Sequence, residues 1–423
     1  MNVKFTIVAA AAMAATILPA QVPNIPVAGN TNITISGLLA IGAKNSQISN
    51  SARPGMEAEN YLGDNTSRLY FNSNSKIADG WSVIAQVGSR FEANNGPGTN
   101  LVPNANATPG TPFVGFTTGA YYGGWAEDDT WGGVSSPYGT VTFGKKTVFY
   151  SDTIEVGAIG LLNPGESYRV WDANELGTFN LMDYVMKYNN GVLSGSQGTL
   201  GLTRSQNVVN YTSPVLGPCM FVVNVSKNPY GSEYQYGAST PLNYENGGMI
   251  NAKGIYNKGP ISASLSFLDV KPQGGPSTGL GNTQAYRAGI SYKDPMGFKV
   301  GVVFDHTAVS NAIVTTSNPN GSTASRDVFQ IPVSYYLGNH GFYATYTHAG
   351  SYSGISNSSA TQYNLQYDYA MTKRASVGLC GALLRNNSNT AYGPFLAGTN
   401  LGPSGVATGE YWRQISLDLM YWF

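Results

Sequence analysis

The stretch Tyr411 to Phe423, YWRQISLDLMYWF, decides how the rest of the chain is read. Side chains of an extended strand alternate with period two, so Ile415, Leu417, Leu419, Tyr421 and Phe423 share one face. Gln414, Ser416, Asp418, Met420 and Trp422 share the other. In a soluble sandwich the apolar face would turn into a core. A strand with one apolar face, one polar face and aromatic residues near its ends also fits a closed barrel in lipid, apolar outward and polar inward.

Composition favours the barrel. The 423 residues could fill two or three ordinary soluble domains, yet only 11% are charged, and Gly (52) and Tyr (28) are abundant, as many turns and aromatic girdles require. A mean hydropathy of -0.14 excludes a bundle of membrane-spanning helices, whereas a barrel hides its lipid face by alternation.

The start of the chain is a separate object. Lys4 precedes a 14-residue apolar run, Phe5 to Leu18, followed by Pro19 and Ala20. That run is shorter than the roughly 20 residues of a spanning helix. We read 1–20 as a secretory signal peptide cleaved after Ala20, and 21–423 as a single barrel domain. Without the segment 22 basic residues face 23 acidic ones, a net charge of -1 that points to no nucleic acid or other strongly charged partner. Cys219 and Cys380 are too few for a disulfide framework; alternation puts the first toward lipid and the second toward the lumen.

From about residue 31 one unit recurs: strand, short turn, strand, long polar connection. Short turns are expected at 78–80, 136–139, 213–218, 257–260, 294–297, 338–341 and 371–374. Long connections are expected at 45–65, 92–128, 147–204, 228–248, 271–283, 308–325, 351–360 and 386–409. Seven short and eight long joints link sixteen strands of about ten residues, an all-β, 16-stranded antiparallel transmembrane barrel with short periplasmic turns and long extracellular loops. Pro332, inside the strand Val328 to Leu337, predicts a bulge.

Several stretches carry a family resemblance. Tyr367 to Arg374, YDYAMTKR, with the strand after it resembles the penultimate hairpin of Gram-negative general diffusion porins. Ser67-Arg68-Leu69, Tyr138 to Lys145 and Asn210 to Pro214 agree with the same family, while Lys145 stands where an Arg is typical and Asn210 where a basic residue is frequent. Leu419, Tyr421 and Phe423 resemble the terminal sorting signal read by the barrel-assembly machinery. The resemblance implies a homotrimer in the lipids of the bacterial outer membrane, a third loop folded into the pore, and a water-filled channel for passive diffusion of small hydrophilic solutes and ions. Alternatives are a substrate-selective channel, for sugars for example, or a non-conducting structural or adhesive surface barrel. The tyrosines Tyr363, Tyr367 and Tyr369 face lipid by alternation, which favours a girdle over a sugar ladder.

A pore acts through the size and field of its narrowest section. The third connection, 147–204, exceeds ordinary loop lengths. It carries Asp152, Glu155, Glu166, Asp172 and Glu175 against Arg169, and an apolar patch at Ile159, Leu161 and Leu162 unsuited to a loop loose in water. Folded inward, it would face a basic wall. Alternation supplies Arg68, Arg90, Lys146 and Arg287, and Lys299 as a rim charge; the family motif points to Lys145 where alternation points to Lys146. Enzyme chemistry and cofactors find no support, since His306, His340 and His348 have no metal-ligand spacing and no glycine-rich phosphate loop appears.

Overall fold

A computed structural model describes residues 24–27, 30–49, 59–64, 67–90, 101–103, 116–118, 126, 128–146, 148, 187–189, 192–194, 205–227, 247–271, 282–315, 318–390, 392 and 409–423. Sixteen antiparallel strands form the wall. They are β1 (Thr31–Ser49), β2 (Arg68–Ala78), β3 (Trp81–Arg90), β4 (Thr130–Ser136), β5 (Gly139–Lys146), β6 (Ser205–Thr212), β7 (Cys219–Lys227) and β8 (Gly248–Lys258). The circuit continues through β9 (Ile261–Lys271), β10 (Thr283–Lys293), β11 (Phe298–Thr315), β12 (Asn318–Leu337), β13 (His340–Ala349), β14 (Ala360–Ala370), β15 (Ala375–Asn386) and β16 (Tyr411–Trp422). Each pairs with its sequence neighbour, and β16 returns to β1 with Trp422 opposite Leu38 and Tyr411 opposite Ser49. Closure matters because lipid offers no partner to a free strand edge.

Period-two alternation positions everything else. On β9, Ser264 and Ser266 are buried inward while Leu265 is exposed outward; on β14, Gln362, Asn364, Gln366 and Asp368 turn in, and Tyr363, Leu365, Tyr367 and Tyr369 turn out. Two aromatic belts border the outward apolar band. Tyr292, Phe298, Tyr335, Phe342 and Tyr369 stand beside the short turns, and Phe267, Tyr286, Phe304, Phe329, Tyr346 and Tyr363 form the opposite belt. Neighbouring rings in the second belt touch, with centroids 5.2 Å apart for Phe267 and Tyr286 and 5.0 Å for Phe304 and Phe329. Aromatic side chains suit the boundary, where one end is apolar and the other wet.

The expected turns fall in place, but three details differ. β1 runs to Ser49 and Glu59–Asp64 pairs back onto it, so the first long connection starts after residue 49 rather than at 45. The expected loop 308–325 is largely a hairpin, pairing Val309 with Ala324 and Thr315 with Asn318, because β-branched residues keep this polar stretch extended. Pro332 makes no bulge. Val300 opposite Val333 and Val303 opposite Gln330 keep one register, and the pairs between them drop from the β11 ladder, while Pro332 stays opposite Thr345 of β13. The missing N–H is thus confined to one ladder without an inserted residue.

Candidate functional site: the inner wall of the barrel

Arg68, opening β2, stands opposite Leu38 and Arg90. Its Nη1 donates to Tyr70 Oη at 3.3 Å, and that hydroxyl donates to Asp128 Oδ2 at 3.1 Å. The arginine is therefore tied through Tyr70 to an acid arriving just before β4. Of Arg90 the register gives the backbone position opposite Arg68. Lys146 points inward, its Nζ 3.2 Å from Thr142 Oγ1 and 4.7 Å from the centre of the Trp131 ring. Lys145 takes the outward register of the exposed Phe143, so alternation, not the family motif, identifies the inward lysine of β5.

On the far side, Arg287 of β10 donates from Nε to Asp305 Oδ2 of β11 at 2.9 Å, with both side chains buried. Thr307 Oγ1 donates to the other oxygen at 3.0 Å. Arg287 was expected as a wall cation and is one half of a buried ion pair. Arg326, on β12, is inward and buried, as are Lys253 on β8 and Lys299 on β11. Lys299 sits opposite Lys293 beside the turn at 294–297, at the rim where sequence placed it.

A string of side-chain amides connects the two regions. Asn210 Nδ2 donates to Asn224 Oδ1 at 2.8 Å, Asn224 Nδ2 to Asn251 Oδ1 at 2.9 Å, and Asn251 Nδ2 to Ser266 Oγ at 3.1 Å. At its other end Thr142 Oγ1 donates to Asn210 Oδ1 at 3.3 Å. Asn210, the residue in place of a basic one, is thus the first rung of a hydrogen-bonded ladder across β5 to β9. Sequence reasoning missed the ladder, Asp305 and Arg326; inward parity on β7, β8, β11 and β12 marks all of them except Asn210, which was noticed only as a departure.

Asp152, Glu155, Glu166, Arg169, Asp172 and Glu175 lie outside the described residues. Val148, two positions past β5, is fully buried in one apolar cluster with the inward Val208, Met249, Leu268, Val270 and Ala285. At the closing seam Gly37 and Phe423 exchange two backbone hydrogen bonds of 3.0 Å. The Phe423 ring lies over Gly37, where an added Cβ would be 2.3 Å from it. Leu419 and Tyr421 face outward below Leu417. The three histidines face outward too, with Nδ1 within hydrogen-bonding distance of Asp327, Tyr367 and Thr361 for His306, His340 and His348.

A closed sixteen-stranded barrel with an apolar exterior and a polar, charged interior matches a sequence family described as Gram-negative porin over residues 5–389. The chain belongs to that family. This porin resides in the bacterial outer membrane and forms a channel for passive diffusion. No curated protein matches it. Among solved structures, an anion-selective porin from Comamonas acidovorans is similar with TM-score 0.64 at 16% identity, over 93% of this chain and 100% of that one. OmpT, an outer membrane protein of Vibrio cholerae, gives 0.57 at 11% identity over 95% and 100%. The outer membrane channel DcaP of Acinetobacter baumannii gives 0.54 at 12% over 95% and 99%.

Proposed function

We propose that the third connection, 147–204, folds into the lumen and makes a constriction whose acidic residues around Asp152, Glu155 and Glu166 face Arg68, Arg90 and Lys146. Val148 carries this reading: a valine just past the end of β5 is buried among inward residues of β6 to β10, as expected where a connection turns into the lumen. Further support comes from 187–189 and 192–194 of the same connection, whose backbones approach within 8 Å of β11, six strands around the wall from β5. Solutes are small and hydrophilic, sorted by size and field. The porin has no catalytic role, and it assembles as a homotrimer. A solved relative, OmpT of Vibrio cholerae, is described in a trimer form. Chemical cross-linking of unheated, detergent-solubilised protein tests the trimer, and monomer alone would count against it. Residues 1–20 act as the signal peptide, and N-terminal sequencing of the exported protein reads the cleavage site.

Deletion of 155–175 tests the constriction. Single-channel conductance in a planar bilayer should rise, and Asp152→Asn with Glu155→Gln should shift the reversal potential toward anions. Unchanged conductance in a folded deletion variant would return the loop to the outside.

A second reading concerns selectivity. Among the described residues, Lys253, Arg287, Lys293, Lys299 and Arg326 on β8 to β12 take inward positions against one carboxylate, Asp305. That arc favours anions even where the third connection is acidic, and the similar Comamonas acidovorans porin is described as anion-selective. A reversal potential under a KCl gradient that reports cation preference in the wild type would refute it.

A further inference from the structure

The seventh and eighth long connections, polar in sequence, each send a tyrosine into the barrel. Tyr352, just past β13, and Tyr392, just past β15, are 6% and 1% exposed. They meet at Arg326, on the inner face of β12. Arg326 Nη1 donates to Tyr392 Oη at 2.9 Å, and the Tyr392 hydroxyl donates to Tyr352 Oη at 2.7 Å. The two rings stack with centroids 6.3 Å apart, and the guanidinium carbon lies 5.6 Å from the centre of the Tyr392 ring.

Both tyrosines are pinned from behind. Asn386, ending β15, accepts from Tyr392 N at 3.0 Å and donates to Tyr392 O at 2.9 Å and Glu410 O at 3.0 Å. Ser358 Oγ accepts from Tyr352 N at 2.8 Å, and Ser353 exchanges hydrogen bonds with Ser325 of β12. The two connections also bond each other through Asn389 Nδ2 to Ser356 O at 2.8 Å. In the wall row just below Arg326, β13 and β14 present only Ala349 and Ala360, both buried. Small residues there leave room inside the barrel for two rings that span from β15 to β12.

We propose that Arg326, Tyr352 and Tyr392 form a clasp that ties the described residues after β13 and β15 to the inner face of β12, giving the channel a second narrowing near its outer mouth. The clasp joins residues just past β13 and β15 to the inner face of β12, so it stands whether or not the third connection makes a constriction. Arg326 supplies a fixed positive charge at this narrowing, and the tyrosines position it. Hydrogen-bonded hydroxyls of buried tyrosines are costly to remove singly, because the partner loses its bond.

The test is a pair of conservative variants, Tyr392→Phe and Tyr352→Phe, which keep the rings and remove the links. Both should retain the heat-modifiable mobility of a folded barrel. In planar bilayers the Tyr392→Phe channel should show higher open conductance and brief closures absent from the wild type, in the background of the 155–175 deletion as well. Folded wild-type protein should resist chymotrypsin at position 392, and the Tyr392→Phe protein should be nicked there. Wild-type conductance, closures and protease resistance in both folded variants would overturn the clasp. Failure of both to form a barrel would also overturn it, since the tyrosines would then serve wall stability and not the mouth.

Discussion

Removing the carboxylate of Asp305 tests whether the inner wall is a dry, fixed electrostatic surface or a wetted one. Arg287 Nε lies 2.9 Å from Asp305 Oδ2, and neither side chain is more than 1% exposed. Two unit charges about 4 Å apart attract by about 4 kcal/mol at the effective dielectric of 20 usual for protein sites, and by about 1 kcal/mol in water. Arg326 lies in the field of the same carboxylate, so Asp305→Asn leaves two guanidiniums on adjacent parts of the wall. Breaking a buried pair by removing one partner costs about 3–5 kcal/mol, whereas replacing both with well-packed apolar residues is near neutral. Urea unfolding of the porin reconstituted in lipid vesicles should therefore show a large loss for Asp305→Asn and recovery for Arg287→Met with Asp305→Leu. The single variant should also shift the reversal potential toward anions. A loss below about 1 kcal/mol would mean that water already screens the pair and that the wall carries no fixed field.

Gly37→Val should impair closure of the barrel, because a Cβ there stands 2.3 Å from the Phe423 ring and 2.8 Å from Arg68 O. Overpacking of this kind costs about 1–3 kcal/mol, read as a lower midpoint for loss of heat-modifiable mobility, and an unchanged midpoint would contradict it. Deleting Trp422 and Phe423 removes both bonds to Gly37 and the 2.8 Å bond from Trp422 N to Arg374 O. Unassembled chain should then accumulate in the periplasm, and normal outer-membrane barrel would sink the reading of this end as an assembly signal. Asn224→Leu strips a partner from Asn210 and from Asn251, about 1–3 kcal/mol for each group left unsatisfied, measurable as a lower urea midpoint. A midpoint equal to that of the wild type would show that lumen water replaces the rung.

The wall was legible because period two is a local rule with a severe penalty: on β14 a one-residue slip would put Gln366 and Asp368 into lipid. The same rule puts Lys146, not Lys145, on the inward face, where Thr142 and Trp131 meet it. It could not report partners. Arg68 reaches Asp128 through Tyr70, which lies 58 positions from that acid in sequence, and Arg326 finds Tyr392 66 positions away. Such pairings depend on how connections enter the barrel, which no periodicity encodes. Pro332 was misread for a related reason. A proline removes one donor, and whether that demands a bulge depends on which neighbouring strand the donor would have faced.

Four inner-wall cations share one property that bears on transport. Arg68 is tied to Tyr70, Lys146 to Thr142 and Trp131, Arg287 to Asp305, and Arg326 to Tyr392. A long basic side chain free in a lumen can wrap an anion and retain it. One anchored to its own wall contributes its charge while losing the freedom to close on a solute. Conduction needs attraction strong enough to admit an ion and too diffuse to keep it. Anchoring satisfies both conditions, and the asparagine ladder extends the principle to neutral ground, since amides already bonded to one another have fewer groups to offer a passing solute. The wall can therefore discriminate by field while binding nothing tightly, which is the chemistry that passive diffusion of unlike hydrophilic solutes requires.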